Sequence, residues 1–258
     1  MERGVRGGTP FIKKGKKMYK ELTELVEKSN KIVFFGGAGV STESGVPDFR
    51  SADGLYSMKF EHPPEVMLSK TFFKKHPEKF YDFYRTKMLY EKIEPNVTHH
   101  TLAKLEDAGK LTAIVTQNID GLHQKAGSKN VLELHGSVLR NYCVTCNQQY
   151  NMEAIKTEGV PRCECGGIIR PDVVLFEESL NSYILDLAVN HVQESDLLIV
   201  GGTSLVVYPA ASLVSLCKGK VIIINNSETS YDYQADLVVR GGIGEAFNAI
   251  NTLVNFLN

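Results

Sequence analysis

Apolar residues in this chain fall into short unbroken runs, each ending in glycine or small polar residues. Residues 31–35 (Lys-Ile-Val-Phe-Phe) run into Gly36-Gly37, and residues 111–116 (Leu-Thr-Ala-Ile-Val-Thr) into Gln117-Asn118. Residues 196–200 (Asp-Leu-Leu-Ile-Val) run into Gly201-Gly202, and residues 130–134, 220–224 and 237–239 have the same character. A strand that is apolar on both faces is buried on both faces, as in a parallel sheet covered by helices on each side. The segments between supply those helices. Residues 19–28 set Leu22, Leu25 and Val26 on one face, and residues 98–108 read as a helix opened by Thr98 as its cap. Residues 180–195, 209–217 and 244–257 read similarly, and residues 171–176 resume strand character. Alternation of this kind predicts an α/β fold built on a doubly wound parallel sheet.

Two segments break the alternation. Residues 54–98 are crowded with aromatics, Phe72, Phe73, Phe80, Tyr81, Phe83 and Tyr84 among them, and are interrupted by His-Pro and Pro-Pro steps. That is a helical insert rather than a sheet unit. Residues 139–170 hold four of the chain's five cysteines. The two inserts are expected to pack together as a small lobe, leaving 19–53, 99–138 and 171–258 for the main domain. Residues 1–18 are basic, glycine-rich and without period, which reads as a flexible tail or leader with Met18 as the natural start. A nucleic-acid or targeting arm is the other reading of that charge.

Composition narrows the class. Of 258 residues, 43% are hydrophobic and 23% charged, as in an ordinary globular protein. A net charge of −1 gives no overall pull toward nucleic acid or anionic lipid. No apolar run approaches the ~20 residues that span a bilayer. A cytoplasmic protein is expected, with its cysteines reduced or ligating metal.

Five patterns carry candidate chemistry. Gly37-Ala38-Gly39 follows a strand, as where backbone approaches a pyrophosphate, although a tight strand-to-helix turn needs the same glycines. Position 42 is Thr rather than the glycine of the dehydrogenase fingerprint, and no acidic residue follows at the expected distance. Phe49 and Arg50 come next, an aromatic suited to covering a reactive sugar and a cation suited to phosphate. Gln117-Asn118-Ile119-Asp120 lies at the C-terminal end of a strand, where such sheets place ligand groups, and suits ribose hydroxyls and an amide as well as it suits a polar loop cap. His135 ends another strand and is a candidate general base, whereas His62, His76, His99, His100, His123 and His191 read as structural. Cys143-Val-Thr-Cys146 and Cys163-Glu-Cys165 form two tight thiolate pairs, the pattern of a closed, structural tetrahedral zinc site, with Cys217 left over as core. Gly202-Thr203-Ser204 and Asn225-Asn226 end two further strands and suit sugar or phosphate, or form plain turns.

In this order the motifs resemble those of the sirtuins, NAD-dependent protein-lysine deacylases, in their bacterial type. The resemblance covers about residues 20–258. It rests on 37–50, 116–120, His135-Gly136, the four cysteines, Arg170-Pro171-Asp172 and 202–210. It implies a Rossmann-like domain carrying a small inserted lobe made of a helical module and a zinc ribbon, with NAD and an acyl-lysine peptide in the cleft between. Gly37, Ala38, Gly39, Thr42, Phe49 and Arg50 would line the cofactor loop. Gln117, Asn118, Ile119 and Asp120 would hold the nicotinamide ribose and carboxamide, and Gly202, Thr203, Ser204, Asn225, Asn226 and Ile243 the adenosine half. The peptide would pair as a strand between 174–178 and 204–207, with Val174, Phe176 and Val206 against the substrate.

The chemistry implied is attack of the acyl oxygen on the nicotinamide ribose, with His135 as base and Asn118 and Asp120 beside it. Free lysine, nicotinamide and O-acetyl-ADP-ribose leave. NAD is consumed, one zinc ion is structural, and the partners are acetylated-lysine proteins or peptides met by a monomer. Mono-ADP-ribosyl transfer and a non-catalytic zinc-ribbon adaptor are the rival readings. Two positions depart from the family. Glu177 stands where Gly is usual. Sirtuins that prefer succinyl groups have Tyr and, three residues on, Arg, whereas here Tyr81 is followed by Tyr84 with Arg85 one place off. Acetyl or longer apolar acyl groups are therefore expected over succinyl.

Overall fold

The computed structural model describes residues 15–51 and 53–255. The expected tail lies outside the described residues as far as residue 14. Helix α1 (Lys16–Lys28) then begins ahead of residue 19, where the periodicity placed it. Met18 explains the earlier start, because it extends the i, i+4 row of Leu22 and Val26 and is buried with them.

Six strands form one parallel sheet: β1 (Ile32–Gly36), β2 (Leu111–Thr116), β3 (Val131–Glu133), β7 (Leu197–Gly201), β8 (Lys220–Ile224) and β9 (Leu237–Val239). Their order is β3-β2-β1-β7-β8-β9, so the winding reverses between β1 and β7. The strands are largely apolar because each face meets helices. Ile32, Phe34, Ile114, Ile199 and Ile222 pack toward α1, α5 (Val97–Asp107) and α8 (Ile243–Val254). The alternate residues Val33, Phe35, Val115, Leu198 and Val200 pack toward α7 (Ser182–Glu194) and the 3₁₀ turn Ala210–Leu216. That last segment was expected as an ordinary helix over 209–217. The cap of α5 is Asn96 rather than Thr98: its side chain accepts from Thr98 N at 2.9 Å, and Thr98 is fully buried in the first turn.

A second, antiparallel sheet has the order β5-β4-β6, from β4 (Gly136–Cys143), β5 (Gln149–Asn151) and β6 (Ile169–Val173). The run expected to resume the main sheet at residue 171 instead belongs here, where β6 pairs antiparallel with β4. Its burial alternates along the strand, with Arg170 and Asp172 on the wetter face. That two-residue period is the signature of a half-exposed antiparallel strand. The aromatic insert forms α2 (Pro64–Met67), α3 (Lys70–Lys75) and α4 (Pro77–Lys87). Phe73, Phe80, Tyr81 and Tyr84 share one core with Val138, Cys143, Ile155, Cys163 and Ile169. The two inserts therefore close over each other, and β4 and β6 reach beyond both expected ends of the cysteine segment.

Candidate active site

Open parallel sheets bind ligands beyond the carboxyl ends of their strands, at the point where the winding reverses. Here that point lies between Gly36 and Gly201, which pair across β1 and β7. The two following turns touch: Gly37 N donates to Gly201 O at 3.2 Å and Gly39 N to Gly202 O at 2.8 Å. A Cβ on Gly39 would come within 2.8 Å of Gly202 Cα. The glycines are thus demanded by contact between two turns, a reason the sequence alone did not show. They form the floor of a cleft of about 1010 Å³ between the large sheet and the small lobe.

The walls of this cleft bring together almost every residue singled out from the sequence. Ala38, Thr42, Phe49 and Arg50 line it from the first turn, Gln117 through Asp120 and His135 from β2 and β3, and Gly202, Thr203 and Ser204 from β7. Asn225 and Asn226 line it from the end of β8, Ile243 from the start of α8, and Val174 and Phe176 from the strand-like segment after β6. Val206 is the exception: it is 53% exposed and lies off the wall, to which its neighbour Val207 contributes instead.

A hydrogen-bond chain organises the centre. Ser41 Oγ donates to Asp120 Oδ2 at 2.7 Å and accepts from Asn118 Nδ2 at 3.0 Å. Asp120 Oδ1 accepts from Leu122 N at 2.9 Å, opening the short helix α6 (Leu122–Lys125). Burial pushes the Asp120 carboxyl up, and its hydrogen bonds to Leu122 and Ser41 oppose this. Gln117 Nε2 donates to Thr203 Oγ1 at 3.0 Å, tying the β2 end to the β7 end. Ser41 is the residue that sequence reasoning passed over. It sits inside the 37–50 motif, but only the fold shows that it joins Asn118 to Asp120.

His135 is fixed from behind. Its Nδ1 lies 3.0 Å from the carbonyl oxygen of Gln117. A carbonyl only accepts, so Nδ1 carries the proton and Nε2 is left as the ring's basic nitrogen. Burial lowers the imidazole pKa, outweighing the Gln117 carbonyl, so the ring is neutral at physiological pH. Gly136 follows because its φ is +77° and a Cβ would stand 2.0 Å from Asp172 O.

Residues 37–209 match the family described as the Sir2 family. The chain belongs to that family. It is 58% identical over 236 residues to an "NAD-dependent protein deacetylase" of Clostridium acetobutylicum, covering 89% of this chain and 96% of the relative. A Sir2 variant solved with deacetylated p53 peptide and 3′-O-acetyl ADP-ribose is 41% identical, with TM-score 0.83, covering 90% of this chain and 96% of that one. A Sir2 complex with p53 peptide and NAD+ is 39% identical, with TM-score 0.82, covering 92% and 98%. The Rossmann-like sheet with its small inserted lobe is the architecture of these Sir2 proteins.

The four cysteines of this Sir2-family chain lie away from the cleft. Their sulfurs all fall within 4.8 Å of one another. Cys143 Sγ is 3.4 Å from Cys165 Sγ, and Cys146 Sγ is 3.6 Å from Cys163 Sγ. These separations are too long for disulfides. They approach the ~3.8 Å edges of a tetrahedron with metal–sulfur bonds near 2.3 Å. A Cβ on Gly167 would stand 2.5 Å from Cys143 Sγ, which explains that glycine. Tyr150 Oη donates to Cys163 Sγ at 3.1 Å, and Thr145 N to Cys143 Sγ at 3.4 Å. Donors of this kind steady thiolate charge.

Arg85 is unavailable to the cleft. Its Nε donates to Ile155 O at 2.8 Å, and a second guanidinium nitrogen to Gly159 O. Tyr81 is buried with its hydroxyl on Ile169 O at 2.5 Å. Both side chains tie the helical insert to the cysteine segment instead of reading an acyl group.

Among the other histidines, His99 and His123 form a buried pair with ring centroids 4.8 Å apart. Burial lowers their pKa values to about 4 and about 3. Both rings are then neutral in the fold, while an unfolded histidine takes up a proton below about 6.5. The unfolded chain binds more protons between pH 6.5 and those folded values, so stability falls with acidification through that window and is unaffected above it. Denaturant melts at pH 7 and pH 4.5 should differ by on the order of 2 kcal/mol for each of these histidines. A His123→Asn variant should lose less stability over the same interval; an equal loss would show that the pair does not sense acid.

Proposed function

We infer that this chain is an NAD-dependent protein-lysine deacetylase, acting on acetylated-lysine proteins or peptides. The observation that carries the reading is His135: a neutral imidazole with its tautomer fixed by Gln117 O, in the wall of a cleft that also holds Asn118 and Asp120. NAD supplies an electrophilic ribose carbon that the acyl oxygen attacks as nicotinamide leaves. His135 Nε2 then removes the proton of the ribose 2′-hydroxyl, the freed oxygen attacks the imidate carbon, and one water releases free lysine and leaves the acetyl group on the ribose as O-acetyl-ADP-ribose. Asn118 and Asp120, locked through Ser41, orient the nicotinamide half. Thr203, Ser204, Asn225, Asn226 and Ile243 hold the adenosine half at the ends of β7 and β8 and the start of α8. Phe49 and Arg50 cover the sugar and the phosphates. Val174 and Phe176 meet the acyl-lysine chain, and Val206 the exposed rim.

The four thiolates would hold one structural zinc ion, since four sulfurs leave no open position for chemistry. The proposal extends to a monomer working in the cytoplasm without nucleic acid. In support, the net charge is −1, and among the described residues no helix is long and apolar enough to cross a membrane.

An acetyl-lysine peptide incubated with and without NAD, followed by peptide mass and nicotinamide release, tests the activity. Loss of acetyl with matching nicotinamide is expected. Nicotinamide release with label from NAD left on protein would favour ADP-ribosyl transfer instead. On one matched peptide, acetyl should be removed faster than succinyl, because Arg85 is spent on backbone carbonyls. Faster desuccinylation would overturn that preference.

A further inference from the structure

Glu177 occupies a position whose backbone has a conformation suited to glycine: its φ is +73°. A side chain there is strained, and such strain persists only where neighbouring contacts impose it. Those contacts are present. Glu177 Oε2 accepts from Thr71 Oγ1 at 2.6 Å and from Thr71 N at 2.9 Å. Both bonds hold the carboxyl below its ordinary range, so the clasp is charged at neutral pH. The preceding residue is anchored to the same stretch. Phe176 N donates to Leu68 O at 3.0 Å, and Lys70 N donates to Phe176 O at 3.0 Å. Residues 176–177 are therefore stapled along one edge to 68–71, in the helical insert.

The other edge is open. Val174 N is used by His135 O at 2.9 Å, and Leu175 O accepts from Glu178 N at 3.0 Å. Among the described residues, no hydrogen bond engages the Val174 carbonyl, the Glu177 amide or the Glu177 carbonyl. All of 173–178 line the cleft. An extended ligand entering it meets a strand edge with one donor and two acceptors unused, the arrangement in which a peptide adds as a strand.

We propose that Glu177 is a positioning residue for the substrate peptide. Its clasp on Thr71 holds the backbone of residue 177 in a strained conformation that presents its amide and carbonyl to the peptide. The clasp then governs peptide affinity and not the chemical step, because neither partner touches the NAD half of the cleft. The inference rests on the peptide-groove reading above.

Substitutions separate the two ingredients. Glu177→Ala keeps a Cβ at positive φ and removes the clasp. Glu177→Gly removes both strain and clasp. Glu177→Gln keeps an acceptor for Thr71, and Thr71→Val removes the hydroxyl donor with little change of shape. Peptide KM, NAD KM and kcat would be measured for each, with calorimetric binding of an acetyl-lysine peptide in the absence of NAD. Glu177→Ala should raise the peptide KM and Kd about five-fold, the effect of losing one or two modest hydrogen bonds. Its kcat and NAD KM should stay near wild type. Glu177→Gln should restore most of the affinity, Glu177→Gly should fall between, and Thr71→Val should shift in the same direction as Ala. An unchanged peptide KM in Glu177→Ala, a loss confined to kcat, or a Gln variant as impaired as Ala would overturn the proposal. If the wild type binds peptide and does not deacetylate it, the activity reading fails while the Kd series still tests the clasp. Should Glu177→Ala not fold, Thr71→Val carries the same comparison.

Discussion

Replacing His135 with alanine should lower kcat for NAD-dependent deacetylation by about 10²- to 10⁴-fold, the span ascribed to one positioned general base. The fold should survive. His135 is only partly buried, and its one side-chain hydrogen bond is to Gln117 O. Melting temperature and peptide affinity should therefore stay close to wild type while turnover collapses. The pH profile adds a second readout. Burial sets the pKa of His135 below that of a free imidazole, so the basic form is fully present at neutral pH and is lost only on acidification. The wild-type kcat/KM should be flat near pH 7 and fall at an apparent pKa below about 6.5. That acid limb should be missing from the residual activity of His135→Ala. Persistent turnover in the variant would move the base elsewhere, with Asp120 the next group to examine.

Loss of the thiolate site should have the largest structural effect. Structural zinc sites contribute apparent binding energies of about 10–16 kcal/mol near neutral pH, as large as the whole ~5–15 kcal/mol stability of a typical domain. Cys143 and Cys163 are members of the small lobe's core, whereas the two cores flanking the large sheet contain none of the four ligand cysteines. Chelation or Cys146→Ser should open the small lobe and leave the large sheet folded. Hydrogen exchange would show this as lost protection over residues 136–173 with retained protection in β1 and β7. Mass spectrometry of the native protein should find one zinc per chain. A protein without bound metal whose small lobe remains protected would refute the assignment. Deacetylation should fall along with the lobe, since the segment after β6 walls the cleft.

Much of this was legible in the chain, for reasons that differ by element. The strands of the large sheet announce themselves because burial on both faces leaves few polar residues to confuse the period, and β2, β8 and β9 occur at their expected limits. The segment β6 was misjudged because Pro171 and Val173 look like more of the same apolar run, while the informative residues, Arg170 and Asp172, alternate with them. The cleft residues were legible as motifs, yet their couplings were not. Ser41 joins Asn118 to Asp120 across 77 and 79 positions, a relation carried only by the fold. Glu177 was visible as a departure, but its partner Thr71 stands 106 residues away in the helical insert.

The pairing of Gly36 with Gly201 has a consequence for how the molecule comes into being. The floor of the cleft joins two turns separated by most of the chain, so its closure carries a large loop-entropy cost and a high contact order. During synthesis β1 and β2 can pair early, but β7 must leave the ribosome before either glycine turn has its partner. A nascent chain halted between residues 165 and 201 possesses His135, Asn118 and all four zinc ligands and still has no binding site.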